Sequence, residues 1–231
     1  MPSLLLIRHG QGLDPLQGEY DGLSELGQQQ AACIGEALAG LRGLCFHGPL
    51  ERQRLTAQTA LRPHGLVSTL LPELEEHCGH AVVVHTLSSP LPEGSALAPV
   101  VGAALSPGAG RGEMARAVAA VVRGWACGEL AAPVPEDYAA FRARVARGLL
   151  RLCEAGAAQD ASVVAFTSGG FIGAAVAQAL GLGEVQAVEL GLTVDNASLT
   201  ELRFSRREPG RLGLKRFNGV AHLGRALLTG L

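Results

Sequence analysis

Leu4-Leu5-Leu6-Ile7-Arg8-His9-Gly10 is the stretch that decides the fold, because an apolar run stops there at an arginine and a histidine. The run is bounded and too short for a helix, so it predicts a buried parallel strand. In open α/β sheets, ligands bind beyond the carboxyl ends of the strands. Arg8 and His9 follow this strand, where an arginine suits phosphate or carboxylate and a histidine suits nucleophilic or acid–base chemistry. Taken alone, they fit a surface charge and a hydrogen-bonded loop histidine equally well.

The composition fits one folded domain without a broad charged face. The chain has 231 residues, 48% of them hydrophobic and 17% charged, and a formal net charge of −2. It can therefore bury a core, and it offers no general surface for nucleic acid or an acidic membrane. Its five cysteines are odd in number and scattered, which favours free thiols in the cytoplasm over disulfides. Neither a signal peptide nor a membrane span is predicted.

Strands and helices alternate along the chain, which is typical of a mostly parallel sheet flanked by helices. Helices are predicted from Ser24, as N-cap, to about residue 43, and at residues 54–60, 114–125, 136–152 and 170–181, and further strands at 44–46, 66–71, 162–167, 197–204 and 212–217. The last two strands read as a hairpin. We predict a three-layer α/β fold, a single domain over residues 1–231, with a loop and helix cap at about residues 85–125. Residues 85–112, rich in Pro, Gly, Ser and Ala, are expected to be irregular.

Three predicted strand ends carry groups suited to a phosphate. Arg8-His9-Gly10 follows the first strand, Pro49-Leu50-Glu51-Arg52 follows the second, and Ser168-Gly169-Gly170 follows the strand at residues 162–167. Glycines between a strand and a helix let backbone N–H groups approach an anion, and the helix dipole favours negative charge there. Two arginines, a histidine and a glycine-rich helix start on neighbouring strand ends would form a phosphate pocket.

Taken in order, these motifs resemble the histidine phosphatase superfamily, also called phosphoglycerate-mutase-like. The matching segments are Arg8-His9-Gly10, residues 23–31 (LSELGQQQA), residues 48–57 (GPLERQRLTA, for the family's Ser-Pro-Leu-x-Arg-Ala-x-x-Thr-Ala), Glu75 with Gly79, residues 167–170 (TSGG), and Asn218 with His222-Leu223. They run nearly from end to end of the chain. The chain is similar in particular to a branch in which Ser-Gly-Gly replaces the usual second His-Gly motif.

The resemblance implies a metal-independent phosphomonoester hydrolase that acts on a small phosphorylated molecule and needs no cofactor. His9 would be the nucleophile and would form a phosphohistidine intermediate. Arg8 and Arg52 would bind the phosphoryl oxygens and stabilise the charge that develops during transfer. Glu75 would be the general acid that protonates the leaving oxygen. Glu76 is the alternative acid, because several glutamates crowd together there.

The chain departs from the family pattern at Ser168, where the usual residue is a histidine that donates to the phosphoryl group. A serine hydroxyl can still donate one hydrogen bond, and the helix start at Gly169 adds positive potential. Gly48 replaces a serine, and Gln11 is expected to replace in part an asparagine that the family often carries. His222 is either a substitute donor or a structural histidine of the tail.

Other functions stay open at this point. A weakened or inactive member of the fold would bind a phosphate ligand or a protein, and a mutase would protect its phosphohistidine from water. Glu75, His77, Cys78, His80 and His85 could be ligands of a metal ion. They form a single, irregularly spaced group, whereas structural zinc sites usually have two regularly spaced pairs of ligands. Retention of both arginines, the histidine and a glutamate at motif positions favours hydrolysis. The sequence names no substrate and no oligomeric state, and it predicts no nucleic-acid or membrane partner.

Overall fold

A mixed six-stranded sheet forms the centre of the protein. The computed structural model describes residues 2–13 and 21–230. The strands are β1 (Ser3–Arg8), β2 (Gly43–His47), β3 (Thr69–Leu70), β4 (Ser162–Thr167), β5 (Leu199–Phe204) and β6 (Leu212–Gly219). Their order is β3-β2-β4-β1-β5-β6. The first four are parallel, and β5 runs antiparallel to both β1 and β6. The mostly parallel sheet and the final hairpin are therefore confirmed.

Helices cover both faces of this sheet. In the described ranges they are α1 (Glu25–Ala37), α2 (Glu51–Leu61), α3 (Gly79–Ser88), α4 (Ala98–Leu105), α5 (Arg111–Ala126), α6 (Tyr138–Ala158), α7 (Gly169–Leu180) and α8 (Glu184–Thr193). Ser24 caps α1 as predicted, since its hydroxyl accepts the Gly27 N–H at 3.0 Å. None of these helices is long and apolar enough to cross a membrane.

The two central strands are buried on both faces, which explains their unbroken apolar runs. In β1, Leu4 and Leu6 pack into the larger core cluster, with the side chains of α5, α6 and α7, whereas Ile7 packs into the smaller cluster with α1 and α2. Val163 and Val164 of β4 divide between the two clusters in the same way. Successive side chains of each strand therefore point to opposite faces of the sheet, and each face packs against its own layer of helices, which gives three layers.

Two predicted elements differ from the structure, and some helices were not predicted. Residues 85–112 hold the end of α3 and all of α4, so the prediction of an irregular segment was wrong in part. Alanines favour this helix, and Pro99 lies in its first turn, where a missing N–H costs little. The predicted strand at 66–71 is reduced to β3, an exposed edge strand that pairs with β2 at two positions. Helices α3 and α8 were not predicted.

Candidate active site

The carboxyl ends of β1 and β4 bring His9 and Ser168 side by side. The two strands are parallel neighbours, with Arg8 opposite Thr167 in the register. The pairing continues one step further, because the His9 N–H donates to the Thr167 carbonyl at 3.0 Å. On the other side of β4 lies β2, which is followed by α2 and Arg52. The three strand ends predicted to carry the site therefore meet at one edge of the sheet.

Backbone geometry fixes the proton of His9 on one ring nitrogen. Nδ1 lies 2.7 Å from the Gly10 carbonyl oxygen, which can only accept, so Nδ1 carries the hydrogen. Nε2 therefore holds a lone pair, and it accepts the Arg52 Nε–H at 3.0 Å. Burial lowers the pKa of His9 well below its usual value, and the charges of Arg52 and Arg8 lower it further, against the opposing Gly10 bond. The ring is neutral at pH 7, as a nucleophile requires.

Two buried guanidinium groups flank this ring. Arg8 is 9% exposed and donates to the Val194 carbonyl, just after α8. Arg52 is 7% exposed, and its Nη1 pairs with Asp21 Oδ1 at 2.8 Å. The two guanidinium groups place positive charge and N–H donors beside a neutral histidine, although the chain as a whole is slightly acidic. Such a site suits a phosphoryl group, which accepts several charge-assisted hydrogen bonds.

Glu76, rather than Glu75, faces this edge of the sheet. Glu76 Oε2 accepts the Gly170 N–H at the start of α7, at 3.0 Å, and its Oε1 accepts the His77 N–H at 2.9 Å. Glu75 is exposed. Its backbone is extended, with φ −60° and ψ 149°, so neighbouring side chains point to opposite sides. Gly170 must lack a side chain here, because a Cβ would lie 2.2 Å from Glu76 Oε1.

Glu76 is electrostatically linked to the arginine that contacts His9. Burial raises the pKa of Glu76, but His77, the Gly170 and His77 N–H groups and the charge of Arg52 lower it, and the lowering effects prevail. Glu76 is therefore ionised in the free protein near neutral pH. Glu76 accepts the Gly170 N–H, two residues after Ser168, and the His9 N–H donates to the Thr167 carbonyl, so the carboxylate and the histidine lie at the same edge of the sheet.

Arg144 holds the loop that carries Glu76, a role that the sequence did not reveal. From α6, its guanidinium donates to the backbone carbonyls of Glu73 at 3.2 Å, Glu75 at 2.8 Å and Glu76 at 3.3 Å. It also pairs with Glu136, and the two side chains are 14% and 19% exposed. Because one rigid, planar guanidinium group binds three backbone carbonyls, it fixes the path of the loop. No motif marks such a residue, because its partners lie about seventy positions away in the sequence.

Replacing Arg144 with methionine should lower kcat by about tenfold, because the loop loses three charge-assisted hydrogen bonds and Glu76 loses its fixed position. The measurement is steady-state phosphate release at a temperature where circular dichroism shows the variant folded. Arg151→Met is the matched control, since Arg151 lies on the same helix, is 58% exposed and pairs with the Glu73 side chain. Equal kinetics in the two variants would contradict a positioning role for Arg144.

The remaining predicted site residues divide between the site and its support. Ser168 is fully buried at the edge that holds His9, and Gly169 lies beside the Arg8 side chain. Gln11 is tied to α1, since its side-chain oxygen accepts the Ser24 hydroxyl at 2.9 Å. His222 Nε2 lies 3.0 Å from the Ala197 carbonyl oxygen, and the Ala197 N–H donates to the His9 carbonyl. His222 therefore supports the backbone behind His9.

The suggested metal ligands do not come together. Among the residues that the structure describes, no three His, Cys, Asp or Glu side chains are arranged to hold a metal ion. His77 packs edge-on against Phe141 and Trp125, with ring centroids 5.3 and 5.8 Å apart, and its Nδ1 accepts the Gly79 N–H. The residue thus contributes to the packing beneath Glu76.

The depressed pKa of His9 makes stability depend on pH. The unfolded chain binds a proton at His9 near pH 6.5, and the folded protein does not. The contribution of His9 to stability is therefore complete above that pH and falls as the pH drops toward the folded pKa. We expect the free energy of unfolding in urea to fall more between about pH 7.5 and about pH 5 in the wild type than in His9→Ala. His47 and His222, whose pKa values burial also lowers, are common to both proteins. If the free energy of unfolding fell by the same amount in the wild type and in His9→Ala, the result would contradict a lowered pKa for His9 in the folded protein.

The sequence and the fold are similar to those of known phosphatases. The family model of the histidine phosphatase superfamily (branch 1) matches residues 4–86 and 110–216. A mycobacterial glucosyl-3-phosphoglycerate phosphatase, solved with inorganic phosphate, is 29% identical, with a TM-score of 0.63 over 97% of this chain and 100% of that chain. A structure described as mycobacterial hydrolase 1 is 26% identical, with a TM-score of 0.67 over 96% and 100% of the two chains.

A more distant structure shows the same fold. A phosphoserine phosphatase mutant from Entamoeba histolytica, in complex with phosphoserine, is 20% identical, with a TM-score of 0.63 over 96% of this chain and 100% of that chain. No curated protein matches the sequence at a significant level.

Proposed function

This chain belongs to the histidine phosphatase superfamily, and from that premise we propose that it hydrolyses phosphomonoesters of small molecules through a phosphohistidine on His9. The observation that carries the proposal is the state of the His9 ring. A carbonyl holds its proton on Nδ1, burial and the charges of two arginines keep the ring neutral, and Nε2 is the nitrogen that faces Arg52. A nucleophile prepared in this way needs no separate base to activate it.

In the first step, Nε2 of His9 forms a bond to phosphorus while the ester P–O bond breaks. The Arg52 N–H that caps Nε2 withdraws and donates to a phosphoryl oxygen instead, together with Arg8, so that both guanidinium groups stabilise the transferred group. The leaving oxygen takes a proton from Glu76 and departs as an alcohol. The pKa of Glu76 lies below its usual value in the free protein, and an incoming phosphate dianion raises it, so the acid gains its proton on binding.

In the second step, water displaces His9 from phosphorus. The Glu76 carboxylate accepts a proton from this water as the new P–O bond forms and the N–P bond breaks. Inorganic phosphate leaves, His9 returns to its neutral form, and Glu76 gives its proton to solvent, so that the free protein is again ionised at Glu76.

The substrate is a small phosphorylated molecule that is selected by the cap. The relatives named above act on, or are solved with, phosphoserine, glucosyl-3-phosphoglycerate or inorganic phosphate. The family model leaves out residues 87–109, which include α4 and fall within the expected cap at about residues 85–125. We assign the choice of substrate to this segment because it lies outside the family model, whereas His9, Arg52 and Glu76 lie within it. Its apolar character favours an organic group of low charge over a polyanion.

The test is phosphate release from a panel of phosphomonoesters in chelator-treated buffer. We expect hydrolysis of at least one small ester, unchanged by the chelator, with inorganic phosphate as a competitive inhibitor. Isomerised phosphoester without phosphate release would indicate a mutase. Tight binding of inorganic phosphate without turnover of any ester would contradict hydrolysis and indicate a ligand-binding protein.

A further inference from the structure

Three positions at which the chain departs from the motifs that it resembles lie in contact with one another. Gln53 replaces the alanine that follows the motif arginine, Gly48 replaces a serine, and Ser168 replaces a histidine. Gln53 Nε2 lies 2.8 Å from Ser168 Oγ, and the space over Gly48 is filled by the Gln53 amide. Gln53 and Ser168 are both fully buried.

The direction of the hydrogen bond between Gln53 and Ser168 is fixed by backbone groups. Gln53 Oε1 accepts the Leu50 N–H at 3.2 Å, and a backbone N–H can only donate. Gln53 Nε2 donates to the Leu74 carbonyl at 3.1 Å, and a carbonyl can only accept. These two partners exclude the flipped amide. The second hydrogen of Nε2 must therefore be donated to the Ser168 oxygen.

As a result, the Ser168 hydroxyl keeps its own proton for another acceptor. Its oxygen accepts from Gln53, and none of the described residues accepts its hydrogen. A buried donor without an acceptor costs free energy, so the site is left with a donor that a ligand can satisfy. Ser168 follows β4 directly beside His9, where the phosphoryl group would be transferred.

Gly48 makes this arrangement possible. A Cβ at position 48 would lie 2.1 Å from Gln53 Oε1 and 2.9 Å from the Leu74 carbonyl oxygen. Any side chain there would push the Gln53 amide away from Ser168 or displace the backbone before Glu75. The glycine and the glutamine therefore depend on each other, although neither is predicted to touch the substrate.

We propose that Gln53 is a positioning residue that holds the Ser168 hydroxyl as a hydrogen-bond donor to the phosphoryl group, and that Gly48 provides the space for it. The arrangement supplies a neutral donor at the position where the motif that the chain resembles has a histidine. The inference rests on the proposed function, since it names a donor for the same transferred group.

The test is a double-mutant cycle with Gln53→Met and Ser168→Ala. Methionine matches the length of glutamine but cannot donate, so packing is kept while the bond to Ser168 is lost. Each single variant should lower kcat/KM by about tenfold or more, and the double variant should be no worse than the poorer single, because Gln53 acts through Ser168. Gly48→Ala should reproduce the defect with both partners present. Gln58→Met, at an exposed glutamine of the same helix, should leave kcat/KM unchanged.

Affinity for inorganic phosphate is measured by calorimetry on the same variants. This measurement tests the donor role of Ser168 separately from the proposed hydrolysis. If the wild type hydrolyses no ester, the proposed function fails, and a common loss of phosphate affinity in Gln53→Met and Ser168→Ala would still support the donor. If the wild type is active but the two substitutions lower kcat/KM independently, Gln53 has a purely structural role and the inference is overturned. Wild-type kinetics and phosphate affinity in Ser168→Ala would overturn it as well.

Discussion

Replacing His9 with alanine is expected to reduce phosphate release on the order of a thousandfold or more, because the nucleophile is lost and no described neighbour can replace it. The arginines and Glu76 remain in the variant, so inorganic phosphate should still bind. The measurement pairs steady-state phosphate release with calorimetric titration of phosphate. Loss of turnover with retained binding separates a missing nucleophile from a collapsed site.

His64→Ala is the matched control for this variant. His64 Nε2 lies at hydrogen-bond distance, 2.8 Å, from the Gly35 carbonyl oxygen. The residue follows the C-terminal end of α2, whereas Arg52 lies at its N-terminal end. Its loss removes a half-buried histidine without touching the strand ends, so kcat should stay close to that of the wild type. If His9→Ala were as active as His64→Ala, His9 would not be the nucleophile.

The second large effect is expected at Glu76. Glu76→Gln should lower kcat on the order of a hundredfold or more for alkyl phosphates, because the leaving alkoxide loses its proton donor. Glutamine can still accept the Gly170 N–H, although its amide nitrogen cannot accept the His77 N–H, and Arg144 continues to hold the loop backbone. Glu75→Gln should stay within about twofold of the wild type, because the side chain is exposed. A larger loss of kcat in Glu75→Gln than in Glu76→Gln would show that Glu75, the residue indicated by the spacing of the family motif, is the acid.

The leaving group gives this prediction a sharper test. A nitrophenolate departs without prior protonation, so Glu76→Gln should lose much less activity with 4-nitrophenyl phosphate than with an alkyl ester. Arg144→Met, which shifts the loop without removing the carboxylate, should show the same trend more weakly. An equal loss on both esters would assign Glu76 to binding rather than to proton transfer.

The sequence predicted the sheet well because burial dictated it. β1 and β4 lie between two helical layers, so their apolar runs were continuous and their ends were marked by polar residues. The residues that follow those ends, His9 and Ser168, came together because parallel neighbours end at the same edge. Edge strand β3 is exposed and short, so no such pattern marked its limits.

Sequence patterns were weaker where long-range contacts decide the position of a side chain. The choice between Glu75 and Glu76 depended on one residue of register in an irregular loop, and Arg144 of a distant helix sets that register. Gln53 carried no motif signal, since its partners are the backbone before Glu75 and a serine after β4. Each of these contacts joins positions twenty or more residues apart, beyond the range of periodicity.

The most direct test of the account is to trap the phosphoenzyme. Wild-type protein is mixed with a hydrolysed ester, quenched with alkali, which preserves a phosphohistidine, and digested for mass spectrometry. We predict one phosphoryl group on the peptide that contains His9, greater accumulation in a variant slowed in the second step, and none in His9→Ala. Turnover with no phosphoryl group on His9, or with the group on another residue, would contradict the central claim.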